Sequence, residues 1–202
     1  MKIIKDRENS FYSERNRLVG NAFTIIDDNN KEHYYEFNLR GDEAIIKFSD
    51  LDYIEVAVKA FRKYNKYIYK FSTNDKSFYE ELDRVFTFKL PIKCIQPSEF
   101  FIDKERLEVI ENNLDDDNIY IPVAIINDEY VALDGHTRLY AMNQNYSRLV
   151  NVYIDSYSED ILDFIYIAKE HNITTIAQMP VLPHDEYEEV WGGFLKDYYN
   201  NK

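Results

Sequence analysis

The first 90 residues alternate short apolar runs with polar turns, a pattern typical of a small sheet. Asn21 to Ile26 and His33 to Leu39 lie on either side of the polar run Asp27-Asp28-Asn29-Asn30, so they predict a β-hairpin. Further runs of strand length occur at Ala44 to Phe48, Tyr67 to Phe71 and Val85 to Leu90.

The segment after Ser49 changes to a helical spacing. Leu51, Ile54, Val58 and Phe61 recur every three or four residues and would share one face of a helix, with Ser49 as its N-cap. No chemically reactive side chains cluster in residues 1–89. We therefore expect a smaller α+β accessory region there. The alternative is a tyrosine-rich surface that selects a partner or a ligand.

A second pattern begins at Pro91. Ile92 to Ile95 has the composition of a strand, Gln96-Pro97-Ser98 that of a turn, and Asp103 is placed to N-cap a helix. The apolar face of that helix would consist of Leu107, Ile110 and Leu114, and the run Asp115-Asp116-Asp117-Asn118 would end it. We interpret the acidic run as a solvated helix end and not as a metal site.

A second hairpin is predicted from Ile121 to Ile126 and from Tyr130 to Leu133. It leads through Asp134-Gly135 into another helix, and Leu149 to Ile154 completes the sheet. We therefore predict an α+β fold with a small mixed sheet and packed helices in residues 90–202, preceded by the accessory region in residues 1–89.

The end of the chain is predicted to be helical. Ser156 and Glu159 would form a capping box for a helix whose apolar face is Ile161, Phe164, Ile165 and Ala168. An amphipathic series then runs from Tyr187 to Tyr198, despite the two glycines at 192 and 193.

The sequence Asp134-Gly135-His136-Thr137-Arg138 is the strongest chemical signal. The first backbone N–H groups of a helix have no carbonyl partner within the helix and lie at the positive end of its dipole, so they favour an anion. Gly135 lets the backbone approach a ligand, and Arg138 offers a guanidinium that suits a phosphate. The helix dipole opposes a cation in the first turn unless an anion binds there. We therefore predict a phosphate-binding loop.

These residues resemble a known superfamily. Gly135, Arg138 and the small residue Ala141 match the phosphate loop of the ParB-like and sulfiredoxin-like proteins, and the resemblance covers about residues 91–154. Within that superfamily, Asp134-Gly135-His136 followed by Arg138 is most similar to the free-serine kinase branch, which carries Asp-Gly-His-His-Arg. Thr137 stands in place of the second histidine.

The resemblance implies a nucleotide ligand, ATP or ADP or else CTP, together with Mg²⁺. It also implies a catalytic carboxylate after the first strand of the domain, where Glu99 is found. Glu99 would accept the proton of an attacking hydroxyl, and Asp134 would hold Mg²⁺ or orient the substrate hydroxyl. Two main functions remain open: a kinase of a small hydroxyl-bearing metabolite such as free serine, and a non-catalytic module whose nucleotide switches its association with a protein partner. A third possibility is a protein–protein scaffold in which the loop has lost its ligand.

Each of these residues also has a simpler interpretation. Arg138 would pair with a surface carboxylate, Asp134 would cap the helix, and Glu99 would be a solvated loop residue. His136 would donate a hydrogen bond to the phosphate or serve the structure alone, and Thr137 would offer its hydroxyl to the same phosphate. The four histidines, His33, His136, His171 and His184, show no metal-ligand spacing.

Composition narrows the choice of partner and chemistry. The chain has 24 basic and 37 acidic residues and a net charge of -13, which disfavours nucleic acid. A local basic patch is still compatible with this charge, and its candidate residues are Lys59, Arg62, Lys63, Lys66 and Lys70. The single cysteine, Cys94, precludes an intrachain disulfide, and nothing resembles a signal peptide or membrane span, so we expect a cytoplasmic protein.

Sulfiredoxin chemistry is disfavoured because His136 occupies the position of the required cysteine, and Walker A and Rossmann motifs are absent.

Overall fold

The computed structural model describes residues 1–112 and 119–201. The chain divides into two compact units, Met1–Val85 and Phe86–Lys202, and both combine helices with sheet, which confirms the α+β class. The sequence places the division four residues later, at 89 and 90. The difference comes from a strand at Thr87–Pro91 that pairs within the sheet of the second unit.

A six-stranded sheet with its strands in chain order forms the first unit. The strands are β1 (Lys2–Lys5), β2 (Ala22–Ile26), β3 (Glu32–Arg40), β4 (Glu43–Phe48), β5 (Lys70–Thr73) and β6 (Tyr79–Glu81). Neighbours are antiparallel except β4 and β5, which are parallel because the chain crosses between them through a helix. The predicted hairpin of β2 and β3 is confirmed. The sequence pattern misses β1, β6 and the short helix α1 (Glu14–Leu18).

The crossover helix α2 (Ile54–Arg62) packs its apolar face on this sheet. Phe61 is fully buried and its ring stacks on Phe37, with centroids 4.2 Å apart. The rings of Phe23 and Phe71 contact Phe61 edge-on. Because aromatic side chains bury large apolar areas, this cluster fixes α2 against β2, β3 and β5.

The predicted start of α2 is wrong. The helix begins at Ile54 after Tyr53, which makes no side-chain capping bond, and Leu51 precedes the helix and is 44% exposed. Ser49 lies four residues before this N-cap position, and its Oγ atom accepts the N–H of Tyr34 at 2.9 Å instead.

A five-stranded mixed sheet forms the second unit. In chain order its strands are β7 (Thr87–Pro91), β8 (Ile95–Gln96), β10 (Tyr120–Ile126), β11 (Glu129–Ala132) and β12 (Leu149–Ile154). Two further short strands, β9 (Ile102–Asp103) and β13 (Val181–Leu182), form a separate parallel pair. The strands lie side by side in the order β7, β12, β10, β11, β8. The β10–β11 hairpin is confirmed. The strand predicted at Ile92 to Ile95 is instead a 3-10 turn, Ile92–Cys94, followed by the two residues of β8.

Helices cover the second sheet. They are α3 (Lys104–Glu111), α4 (His136–Gln144), α5 (Asp160–Glu170), α6 (His184–Tyr187) and α7 (Gly193–Asn200), with a 3-10 turn at Ile176–Gln178 and a π-helical turn at Glu188–Gly192. Among the described residues, none of these helices has the length and apolarity needed to cross a bilayer.

Two predicted caps have different outcomes. Asp103 caps α3 as predicted, because its carboxylate accepts the N–H groups of Glu105 at 3.0 Å and Arg106 at 3.4 Å. The predicted capping box of Ser156 and Glu159 is wrong, since the backbone and hydroxyl of Ser156 both donate to Asp155. Leu114 and the run Asp115 to Asp117 lie outside the described residues.

The carboxylate of Asp103 also fixes the start of α6. Its Oδ2 atom lies 2.8 Å from His184 Nδ1, and this hydrogen bond raises the pKa of His184 above its usual value. The stabilisation from protonated His184 is therefore complete below the unfolded-state pKa of about 6.5 and is lost as the pH rises through the higher folded-state pKa.

We expect His184→Gln to lower the free energy of unfolding at pH 5.5 by less than about 1 kcal/mol, because the exposed imidazole is screened by water. The difference from wild type should shrink toward pH 8. Urea unfolding at both pH values measures it, and a difference that grows with pH would contradict the assigned pair.

Candidate functional site

The second sheet brings two separate segments of the chain to the same end of the sheet. Strands β8 and β11 are parallel neighbours, with Tyr130 opposite Ile95 and Val131 opposite Gln96. The residues that follow these strands therefore emerge at the same end of the sheet. After β8 the chain continues through Ser98 to Glu99, and after β11 it continues to Asp134 and into α4.

Ser98 joins the two segments. Its hydroxyl donates to the carbonyl of Ala132 at 2.7 Å, and its backbone N–H donates to His136 Nε2 at 3.0 Å. Ser98 and His136 are both buried, so these bonds lie away from water and fix the two segments relative to each other. The sequence analysis treats Ser98 only as a turn residue, and no pattern in the sequence distinguishes it from other turn serines.

The bonds of His136 determine which ring nitrogen carries the proton. Because Nε2 accepts the N–H of Ser98, it must present a lone pair, so the imidazole is neutral with its proton on Nδ1. Nδ1 is buried and lies 3.2 Å from Glu99 Oε1, outside good hydrogen-bond alignment. The ring thus directs its N–H side toward the Glu99 carboxylate, which is 28% exposed.

The negative charge of Glu99 also acts on Tyr187 in α6. Burial raises the pKa of Tyr187, and the negative charge of Glu99 raises it further. Tyr187 is 7% exposed, so its phenol stays protonated. The Glu99 carboxylate therefore acts electrostatically on Tyr187 and lies 3.2 Å from buried His136.

Gly135 is the N-cap residue of α4 and has a left-handed backbone, with φ 81° and ψ 23°. A Cβ atom there would lie 2.7 Å from Ile121 Cδ1 and 2.9 Å from a terminal nitrogen of Arg138. Asp134 is not the N-cap residue, although its carboxylate accepts the N–H of Gly135 at 2.6 Å. Only glycine fits this turn without strain.

We expect Gly135→Ala to lower the free energy of unfolding by about 1–3 kcal/mol, since it combines a positive φ with overlap at Ile121. Chemical denaturation measures this loss, with Gly193→Ala as the control because a Cβ at Gly193 meets no atom within 4 Å. Equal stability of the Gly135 variant and wild type would contradict the described turn.

Arg138 lies in the first turn of α4 and folds back over Gly135. A terminal nitrogen of its guanidinium is 3.6 Å from Asp134 Oδ2, and the side chain is 23% exposed. The carboxylate of Asp134 thus supplies the negative charge that a first-turn cation needs. Thr137 is half-buried in the same turn. The structure therefore brings Asp134, Gly135 and Arg138 together, while Glu99 and His136 form the adjacent contact.

No protein-family model matches the chain, and no curated protein matches it. Among solved structures, protein Atu1540 from Agrobacterium tumefaciens is 13% identical, with a TM-score of 0.37 over 55% of this chain and 69% of that chain. The C-terminally truncated chromosome-partitioning protein ParB from Caulobacter crescentus, complexed with CTP-gamma-S, is 20% identical, with a TM-score of 0.32 over 44% of this chain and 53% of that chain. The match therefore spans about half of that ParB chain.

A second cluster of ligand-type side chains lies in the first unit. His33, Asp50 and Asp52 bring one nitrogen or oxygen atom each to within 4.8 Å of one another. The spacing of histidines in the sequence does not reveal this cluster, since the pairing of β3 with β4 creates it. His33 Nδ1 lies 2.8 Å from both carboxylate oxygens of Asp50, and the buried Nε2 atom of the same ring lies 3.6 Å from Asp27 Oδ2.

Proposed function

We propose that the second unit binds a nucleoside phosphate at Gly135 to Arg138 and transfers a phosphoryl group to a small hydroxyl-bearing metabolite such as free serine. Glu99 is the general base in this proposal. The observation that carries it is the contact of Glu99 with buried His136, at the sheet edge where the glycine-arginine loop begins. The resemblance of the loop sequence to the free-serine kinases supports the same assignment.

The proposed phosphate binding depends on the first turn of α4. The backbone N–H groups of His136, Thr137 and Arg138 belong to the first helical turn, where no carbonyl of the helix can accept them. The left-handed Gly135 removes the side chain that would cover this turn. A phosphate here would receive backbone N–H bonds, the helix dipole and the guanidinium of Arg138, and the Thr137 hydroxyl adds a further donor.

The catalytic half rests on Glu99. Its carboxylate is exposed enough to meet a substrate hydroxyl, and its Oε1 atom lies 3.2 Å from His136 Nδ1. A carboxylate accepts the proton of a hydroxyl as the hydroxyl oxygen forms its bond to phosphorus and the nucleotide leaves. The side chain of His136 serves as a positioning group in this scheme, and only its backbone faces the phosphate.

Mg²⁺ fits the residues present. The half-exposed carboxylate of Asp134, together with phosphate oxygens and water, is the oxygen donor set that Mg²⁺ takes at nucleotide sites. The ion would offset the negative charge of the phosphates. Asp134 would hold the ion through a carboxylate that also accepts the N–H of Gly135 and pairs with Arg138.

A non-catalytic nucleotide switch is the second candidate, and the Asp134–Arg138 ion pair favours it. A phosphate at the loop would compete with Asp134 for the guanidinium, because both are anions within reach of Arg138. The released Asp134 could change the surface that a protein partner recognises. This function requires ligand binding and no turnover.

Thermal unfolding with ATP, ADP and CTP, each with and without Mg²⁺, tests nucleotide binding, which both candidate functions require. We expect one nucleotide to raise the melting temperature. Turnover of that nucleotide with free serine and other hydroxyl metabolites then separates them: phosphorylated product supports the kinase, and binding without product supports the switch. Absence of a shift with every nucleotide would overturn both.

A further inference from the structure

A groove lies in the first unit between helix α2 and strand β6. Its volume is about 690 Å³, which falls in the range of about 300–1,000 Å³ typical of ligand sites. The apolar part of its lining comes from Val56, Val58 and Leu82. An apolar groove of this size can hold a segment of polypeptide or a ligand with an apolar body.

Basic side chains surround this groove. Four of the five residues of the basic patch line it, namely Lys59, Arg62, Lys63 and Lys66. The guanidinium of Arg62 donates to the carbonyls of Lys66 at 2.7 Å and Asp83 at 3.0 Å, so it supports the wall. Lys59 and Lys63 are exposed, and within residues 1–112 and 119–201 neither forms an ion pair. Their ammonium groups are therefore available to an incoming anion.

The rest of the lining limits the kind of anion. Glu55 and Glu80 interrupt the row of cations, so a ligand with spaced negative charges, which can avoid them, fits better than a continuous phosphate backbone. The partly exposed Val56 and Leu82 would stay uncovered beneath a wholly polar ligand. Charge and hydrophobicity together match a chain that carries carboxylates at intervals between apolar side chains.

The position of β6 favours an extended polypeptide. β6 is the last strand of its sheet, and no described strand pairs with its outer edge. Such an edge presents backbone N–H and C=O groups to which an extended peptide can bond. We propose that the groove between α2 and β6 binds an extended acidic peptide, whose apolar side chains cover Val56 and Leu82 and whose carboxylates pair with Lys59 and Lys63.

Fluorescence anisotropy of the full chain with a short labelled peptide of alternating glutamate and leucine tests this proposal. We expect saturable binding that weakens with added salt, and no binding of the lysine–leucine peptide of equal length. The double variant Lys59→Glu/Lys63→Glu should bind the acidic peptide at least about tenfold more weakly, since each reversal places like charges together.

The matched control is Lys2→Glu/Lys76→Glu, which changes the net charge equally at exposed lysines that do not line the groove. Circular dichroism checks that both variants fold, and Lys59→Gln/Lys63→Gln replaces the first double variant if it does not. Three results would overturn the proposal: no binding of the acidic peptide, an equal loss in the control, or tighter binding of a single-stranded oligonucleotide.

Discussion

Glu99→Gln is expected to abolish phosphoryl transfer and to leave nucleotide binding unchanged. Glutamine keeps the size of the side chain and can still lie beside His136, but it cannot accept a proton from a hydroxyl. Loss of a general base costs about 10²–10⁴-fold in rate. Because Glu99 approaches the loop from the β8 side, its charge is not needed to form the first turn of α4.

Two measurements are needed for this variant: product formation at saturating nucleotide and the nucleotide-dependent rise in melting temperature. Glu108→Gln is the matched control, since Glu108 is an exposed glutamate of α3 in the same unit. Wild-type turnover in Glu99→Gln would show that another group takes the proton. Loss of turnover together with loss of binding would show that Glu99 acts on the nucleotide site itself.

Arg138→Ala is expected to remove the stabilisation that a nucleotide provides. At a ligand concentration of about 100 times the dissociation constant, binding adds roughly 2.7 kcal/mol to the free energy of unfolding, and this gain should disappear with the guanidinium. Without nucleotide the variant should stay folded, because the Asp134–Arg138 pair is partly exposed and contributes little.

Arg148→Ala serves as the control because Arg148 is an exposed arginine of the same unit. Arg138→Lys sharpens the test. Lysine keeps the positive charge but cannot form bidentate hydrogen bonds, so this variant should show only part of the nucleotide-dependent rise in melting temperature. An undiminished shift in Arg138→Ala would exclude the first turn of α4 as the phosphate site and would leave the glycine turn as a structural feature.

The fold could be predicted where one local interaction dominates. The hairpins follow from apolar runs on either side of polar turns, and Asp103 caps α3 with its Oδ1 atom while its Oδ2 atom pairs with His184. Ser49 and Ser156 have the same capping chemistry, yet each hydroxyl bonds elsewhere, to Tyr34 and to Asp155. Such competition depends on tertiary structure and leaves no trace in the sequence pattern.

The candidate site likewise contains residues that the sequence reveals and residues that only the tertiary structure brings together. The loop from Asp134 to Arg138 is visible in the sequence because its residues are consecutive. Glu99 enters through a family resemblance, and its proximity to His136 depends on the parallel pairing of β8 with β11, which periodicity cannot reveal for a strand of two residues. Ser98 is missed because its partners, Ala132 and His136, lie more than thirty residues away along the chain.

Strand β8 joins the sheet at its edge through only two residue pairs, and the chain from it leads directly to Glu99. Edge segments of this kind separate from a sheet at a free energy well below that of global unfolding. Opening of β8 would separate Glu99 from His136 without unfolding the aromatic core that surrounds Trp191.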